Sequence, residues 1–375
     1  MASDKIVIFG LSTQGYSLAS QIAIKGEDVY IIDESAASAI LINADIVKTY
    51  PTVSSLKDDE PILSMIPTDV ALSTAEYLFF APRIRKTGQD IKIDINSKFK
   101  DTTSKIKKNC SVVYNLPTGL GGNNENISLL EHVTGLDVGK KIDYFYYPLG
   151  VEQPDYIGSF GSKKNKKLEA LLKNKKNKEI ISISSSELIH AINILSRFSE
   201  LTSFLEVCRF ANDKISKSDL VSNNFSEIYL DDMINDLYDL RSLGTSFEGP
   251  TNLVALINIC TKSIDGYIKR LIDEVRLILK KNELKASRTK ILLSWSLDEH
   301  DMKGDKTEML ENIILKLRDY IGDVDAIEGD INIFNSEKTT LIIACSKSDY
   351  EKLKKSQKDD DTIIIKANPI FDIIQ

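Results

Sequence analysis

Near the start of the chain, apolar residues come in short unbroken runs separated by small and polar ones. Lys5-Ile-Val-Ile-Phe9 ends at Gly10, the form of a strand buried on both faces. Leu18, Ile22 and Ala23 follow at helical spacing, and "GEDVYIID" then gives a second strand over Val29 to Ile32 that stops at Asp33. This is a strand–turn–helix–strand unit of ordinary βαβ length. "AEYLFFAP" (75–82) and "CSVVYNLP" (110–117) predict two more strands, each ended by a proline, and "DYFYYPLG" (143–150) predicts another. The stretches around 98–108 and 125–133 fill the helix slots between them. Strands alternating with helices in this way predict a doubly wound parallel sheet.

The period then changes. "GSKKNKKLEALLKNKKNKEI" (161–180) is dominated by Lys and Asn. Without interleaved aromatics it reads as a solvated surface helix with flanking loops rather than a polyanion-binding patch. Residues 184–283 read as helical. "SSSELIHAINILSRFSELTSFLEVC" opens with Ser-rich capping and carries apolar residues at 188, 192, 195, 198, 201 and 205. A second long helix runs from Asn252 to Glu283, with Leu253, Leu256, Ile257, Cys260, Ile264, Ile268, Leu271, Ile272, Val275 and Leu279 as its apolar stripe. A helix of that length bridges domains or forms a dimer seam. After it the α/β alternation restarts: "TKILLSWSL", "TTLIIACS" and "DTIIIKA" are strands, while "KTEMLENIILKLRDYIG" and "SDYEKLKK" are helices. The expected division is 1–160, 161–284 and 285–375.

Composition narrows the function classes. At 375 residues the chain exceeds what one core usually supports. Its formal charge of −7 argues against general nucleic-acid binding. No apolar run reaches membrane-spanning length, and "MASDKIVIFG" has neither the basic start nor the cleavage site of a signal peptide. The four cysteines, at 110, 208, 260 and 345, form no pair motif. That suits a reducing cytoplasm and argues against structural zinc. Three scattered histidines argue against a histidine-based metal centre, so no metal site is expected.

The turn after the first strand reads Gly10-Leu-Ser12-Thr13-Gln14-Gly15. A dinucleotide fingerprint needs a first glycine for the tight turn, a second for backbone approach to the pyrophosphate, and a third for close helix–strand packing. Gly10 and Gly15 fill the outer positions, and Ser12 stands at the middle one. A serine hydroxyl can still meet phosphate, although its Cβ crowds the point of closest approach. Asp33 is placed to bind a ribose diol and favours NAD over NADP, because it would repel a 2′-phosphate. The candidate NAD contacts are therefore Gly10, Ser12, Thr13, Gln14, Gly15 and Asp33, with Pro82 and Pro117 at the ends of the later strands. A tight βα turn that binds nothing is the alternative.

In the order of these pieces the chain resembles the nucleotide-sugar dehydrogenases, the UDP-glucose/GDP-mannose dehydrogenase family, over nearly its whole length. "KIVIFGLSTQGYSLASQIAIKGEDVYIID" is similar to the family's opening strand, glycine loop and acidic strand end. "CSVVYNLPTG…DYFYYPLG" is similar to the stretch that usually carries Ser-Thr before a proline and ends in Pro-Glu. "SSELIHAINILSRFSELTSFLEVC" is similar to the central helix with its Lys and Asn, and "SRTKILLSWSL…DKTEMLENIILKL" to the start of the nucleoside-diphosphate domain. The resemblance implies two Rossmann-like doubly wound parallel-sheet domains separated by a helical domain with a long central helix. It also implies NAD as cofactor, a nucleotide or nucleotide sugar as ligand, and a dimer built on the central helices.

The family oxidises a sugar alcohol twice. A thiol captures the aldehyde, a base takes the alcohol proton, and an ammonium group supports the developing oxyanions. The matching positions here carry none of these. The Pro-Glu pair is Pro148-Leu149, the lysine slot is His190, and the asparagine slot is Ile194. The Ser-Thr pair is Tyr114-Asn115, and the thiol loop is Gly244-Thr-Ser-Phe247, with phenylalanine at the nucleophile position. Glu187 and Glu206 keep the helix acids. Cys260, on an apolar stripe, reads as a core thiol. His190 is a base for one alcohol oxidation or a half-buried helix histidine, and a poor permanent cation near neutral pH. Ser246 has no evident activating partner. In the last domain Lys306 replaces a forked arginine, and Trp295 reads as core or as a stacking ring.

The expectation is thus a nucleotide-sugar-dehydrogenase-like protein that binds NAD or a nucleotide, is catalytically degenerate, and has a regulatory or structural role. It would act as a homodimer or as a heteromer with an active paralogue. An NAD-dependent oxidation with His190 as base and a ligand-free interaction scaffold are the alternatives.

Overall fold

The computed structural model describes residues 5–59, 63–84, 90–151, 153–174, 177–211, 228–246, 251–327, 339–356 and 362–369. The chain divides into two compact units. The first holds Met1–Asn193 together with the short segments Arg241–Phe247 and Asp298–Gly304; the second holds the remainder.

The strands predicted from apolar runs form the middle of the first unit's sheet. β1 (Ile6–Phe9), β2 (Val29–Asp33), β5 (Tyr77–Phe80), β6 (Ser111–Tyr114) and β7 (Asp143–Tyr146) are parallel neighbours in the order β2-β1-β5-β6-β7. All four residues of β5 and of β6 are buried, as expected where both faces of a parallel sheet are covered. Phe9, Phe80 and Tyr114 stack along one face at 5.5 Å between successive rings, and Phe99 meets Phe80 and Tyr114 edge-on at 4.9 and 5.4 Å. Such pairs add about 1 kcal/mol each beyond area burial. They lie immediately before the loops that leave the strands.

The sheet is not parallel throughout. β3 (Ser38–Ile42) and β4 (Met65–Pro67) fold back antiparallel beside β2, and β8 (Tyr156–Ser159) runs antiparallel to β7 with β9 (Glu179–Ser182) beside it. These strands escape the apolar-run reading because they are only three to five residues long and carry Ser, Pro, Gly or Glu among their apolar residues. Helices α1 (Thr13–Ala23), α2 (Ala44–Thr49), α3 (Val53–Asp58), α4 (Thr68–Thr74), α5 (Asp90–Thr103) and α6 (Gly122–Thr134) lie between the strands in sequence. The Lys/Asn stretch holds α7 (Lys166–Leu172), which buries only Leu168, Leu171 and Leu172 and leads on to β9.

α8 (Ile183–Ala211) is the first long helix, and its buried face matches the expected one only in its second half. Phe198, Leu201 and Leu205 are buried as expected, whereas Leu188 and Ile192 are 52% and 60% exposed. Glu187, Ala191 and Ile194 line the buried face of the first half. The helix is apolar on more than one side, so periodicity alone does not pick the inner stripe. The second long helix, Asn252–Lys281, buries its expected stripe from Ile257 to Leu279, while Leu253 stays exposed.

In the second unit β10 (Thr289–Ser294), β11 (Val324–Ile327), β12 (Thr339–Ala344) and β13 (Thr362–Lys366) make a parallel sheet in the order β11-β10-β12-β13. The helices Asp305–Arg318 and Lys347–Ser356 lie between its strands in sequence. Among the described residues no helix is long and apolar enough to cross a membrane.

Gly10 fixes how tightly the first unit can close. Its φ is +118°, and an added Cβ would lie 2.0 Å from the Ala81 carbonyl oxygen. Gly26, at φ +90°, has open space around the same position. Gly10→Ala should therefore cost about 3 kcal/mol or more, whereas Gly26→Ala pays only the left-handed backbone, about 1–2 kcal/mol. Urea unfolding of the two variants measures the difference.

Candidate functional site

Strand order reverses between β1 and β5: the chain builds outward on one side of β1 and then returns to β5 on the other. The crevice at the carboxyl ends of such strands is where ligands of open α/β sheets bind. The loop residues there are tied to the neighbouring strand. Gly10 N–H donates to Ile32 O at 3.2 Å, Ala81 N–H to Phe9 O at 2.9 Å, and Asn115 N–H to Phe80 O at 3.0 Å. Tyr147 N–H donates to Tyr114 O at 2.9 Å and Leu149 N–H to Asn115 O at 2.9 Å. Gly10, Asp33, Pro82, Pro117 and Leu149 thus share one edge of the sheet. Pro82 and Pro117 are buried.

The turn from β1 into α1 was the predicted pyrophosphate cradle. Ser12 is fully buried, and its hydroxyl accepts from Gly15 N–H at 3.0 Å as the N-cap of α1. A serine here serves the helix rather than an outside ligand. Thr13 N–H, at the first turn, donates to the His300 carbonyl at 2.8 Å. The Gln14 side chain donates to Asp301 Oδ1 at 2.5 Å and accepts from Met302 N–H at 2.9 Å. Residues 298–304 therefore lie on the helix end where a phosphate would bind. They also hold the loop after β5: Ile84 N–H donates to Met302 O at 2.8 Å, and the Arg83 guanidinium donates to Glu299 O. With Thr13 and Gly15 N–H and the Gln14 amide engaged in this way, these groups are not open to a pyrophosphate as arranged.

The ribose end is also committed. Asp33 Oδ1 accepts from Ser35 N–H and Oγ at 2.9 and 2.5 Å. Burial pushes the Asp33 carboxyl up, but these hydrogen bonds and the Lys57 charge bring it below the usual carboxylate range. The neighbouring Glu34, absent from the sequence expectations, accepts from Arg83 N–H at 2.8 Å and pairs with Lys98 at 2.8 Å.

At the positions that the resemblance marks as catalytic, the side chains are apolar or held by structural partners. Leu149 and Ile194 are 2% and 7% exposed. Glu187 is buried, and its carboxylate accepts from Gly121 N–H, Asn123 N–H and Asn123 Nδ2 at 2.9, 3.0 and 2.7 Å. It closes the N-terminus of α6 from another helix, a favourable place for negative charge. His190 is half-buried. Phe247 lies outside the described residues. The loop before it rests on the segment after β6: a Cβ on Gly119 would overlap Ser246 Oγ. Asn115, at a Ser-Thr position, donates from its amide to Tyr147 O at 2.8 Å.

All four cysteines are buried. Burial pushes the Cys110 thiol up to about 12 and raises Cys345 as well. In the second unit Glu206 accepts from Ser263 Oγ at 2.6 Å. Trp295 is a core residue, 1% exposed, and donates from Nε1 to Asp231 Oδ1 at 2.8 Å; Lys306 pairs with the same oxygen at 2.7 Å. No group of metal-ligand type is clustered among the described residues.

No protein-family model matches this sequence, and no curated protein matches it. Solved structures do resemble it. UDP-D-ManNAc dehydrogenase from Pyrococcus horikoshii is similar with a TM-score of 0.67 at 15% identity, over 98% of this chain and 96% of that one. NDP-N-acetyl-D-galactosaminuronic acid dehydrogenase from Methanosarcina mazei Go1 gives 0.63 at 13%, over 99% and 92%. The UDP-N-acetyl-mannosamine dehydrogenase Cap5O from S. aureus gives 0.60 at 12%, over 99% and 100%. The chain has the α/β fold of these nucleotide-sugar dehydrogenases.

His300 makes the site's response to pH testable. Burial, then Lys57 and Arg83, hold its imidazole below the ordinary value of 6.5, against the opposing pull of Asp298 and Glu299. Its buried Nδ1 has no hydrogen-bond partner among the described residues. A depressed imidazole binds fewer protons folded than unfolded. Its contribution to stability is therefore complete above that ordinary value and is lost as pH falls through the folded one. The melting temperature should drop on acidification through this window, and His300→Gln should flatten the drop.

Proposed function

We propose that this chain is a catalytically silent protein of nucleotide-sugar dehydrogenase fold with a regulatory or structural role. Its ligand would be a nucleotide or nucleotide sugar, its working form a homodimer or a heteromer with an active homologue, and its compartment the cytoplasm. The observation that carries the reading is the burial of all four thiols. Oxidising an alcohol to a carboxylate through a thioester needs a thiolate that meets the aldehyde carbon. A thiol held near 12, as Cys110 is, supplies almost none at neutral pH. Leu149 and Ile194, buried at the acid and amide positions, remove the groups that would move the proton and support the oxyanion.

The scaffold alternative, with no nucleotide at all, draws support from the hold of residues 298–304 on Thr13 and Gln14. On either reading the three sequence regions, 1–160, 161–284 and 285–375, are the pieces that would have served NAD, the subunit partner and the nucleoside diphosphate.

Incubation with NAD and a panel of UDP- and GDP-sugars, followed by NADH absorbance, tests the silence. No NADH above the protein-free rate is expected. Sustained NADH formation that His190→Ala abolishes would restore the single two-electron oxidation. A thiol reagent should label the native chain slowly at all four cysteines and rapidly after unfolding. One fast native thiol that a nucleotide sugar protects would sink the reading.

A further inference from the structure

We propose that residues 298–304 are a built-in stopper for the phosphate-binding turn, with the Asp301 carboxylate in the place of a ligand phosphate. On this account a dinucleotide enters the turn only when the stopper is displaced. The inference goes beyond the loss of oxidation and does not depend on it.

The donors at the start of α1 define what belongs there. A helix N-terminus presents unpaired N–H groups and a partial positive charge. Gly15 N–H is satisfied within the helix by Ser12 Oγ. Thr13 N–H is satisfied only by reaching across to the His300 carbonyl at 2.8 Å. The next residue of the same segment, Asp301, brings a carboxylate to Gln14 Nε2 at 2.5 Å. The His300 carbonyl thus holds the backbone donor, and the Asp301 carboxylate holds the adjacent side-chain amide, both donors that a phosphate at this turn would use.

The segment is shaped for this position. Asp301 Oδ2 also accepts from Gly304 N–H at 2.9 Å, and Asp301 N–H donates to Asp298 O at 3.0 Å, so the carboxylate sits on a tight turn of its own. Gly304 takes φ +72°, and a Cβ there would come within 3.3 Å of Ile84 O. Met302 is fully buried and is bonded through its backbone to Gln14 and to Ile84. Asp298 and Glu299, in contrast, are exposed. The hold is a set of hydrogen bonds around one buried methionine, with no covalent link, and such a hold is reversible. The turn beneath it keeps its two outer glycines, with Gly15 so close to Gly10 O that a Cβ would lie 2.4 Å away.

A stopper of this kind lowers the apparent affinity by the fraction of molecules in which it is open. The test is calorimetric titration of the full chain with NAD, and separately with ADP, for wild type, Asp301→Ala and the double variant Asp301→Ala/Met302→Ser. The variants are expected to bind NAD at least about tenfold more tightly than wild type. Binding to a folded variant that is no tighter than to wild type overturns the proposal, as does NAD binding by none of the proteins.

Should the variants fail to fold, amide hydrogen exchange on wild type at high NAD decides the matter. Faster exchange at 298–304 together with retained protection at 13–16 supports the stopper; unchanged exchange at 298–304 overturns it. The outcome is separable from the loss of oxidation. Tighter NAD binding without NADH formation leaves both statements standing. NADH formation by a variant removes the silence and keeps the stopper.

Discussion

The backbone of Gly10 runs against the Ala81 carbonyl with no room for a side chain, and the site is built outward from that approach. It brings β1 and β5 together where strand order reverses. It places the start of α1 directly over the carboxyl end of the sheet, and the aromatic stack of Phe9, Phe80 and Tyr114 holds the strand ends in line beneath it. A positively polarised helix end set over such a crevice needs an anionic or carbonyl partner. The fold thereby creates a demand for acceptors before any ligand is considered. In this chain the His300 carbonyl takes Thr13 N–H, and the Asp301 carboxylate takes the Gln14 side-chain amide beside it.

The same logic accounts for the carboxylates around the crevice. Glu187 closes the start of α6, Glu34 joins Arg83 N–H to Lys98, and Asp33 is turned onto Ser35. Each of these three acids has donors from its own chain. With those partners they hold the fold near the crevice. Asp231 plays a similar part in the second unit, where one oxygen serves both the Trp295 indole and Lys306.

Much of this was legible in the sequence, and the failures have physical causes. β1, β2, β5, β6 and β7 could be read because strands covered on both faces must be almost wholly apolar. β3, β4, β8 and β9 could not, since strands of three to five residues carrying Ser, Pro, Gly or Glu give no continuous apolar run. The inner face of α8 was legible from Phe198 to Leu205 but not in its first turns, where Leu188 and Ile192 continue an apolar spacing on a side that stays exposed. Gly10, Ser12 and Gly15 were read correctly as a tight turn opening a helix. What covers that turn was beyond any local pattern, because Gln14 and Asp301 are separated by 287 positions. The signal, in retrospect, is a helix start followed far downstream by a short acidic run ending in Met-Lys-Gly, and it acquires meaning only once the two are adjacent.

Apolar side chains at 149 and 194 are compatible with this fold for a specific reason. Position 149 follows a strand end and position 194 lies on α8, whereas the sheet is carried by the strands themselves. Leucine in place of an acid at 149, and isoleucine in place of an amide at 194, remove polar groups from positions that are 2% and 7% exposed. Fully burying a side chain of that size contributes about 2 kcal/mol, while an unpaired buried carboxylate costs several. An apolar side chain at either position is thus the more stabilising occupant, and it leaves the sheet undisturbed. The two outer glycines of the first turn are different. They answer to backbone approach rather than to chemistry. Their presence therefore testifies to the crevice and not, by itself, to the cofactor.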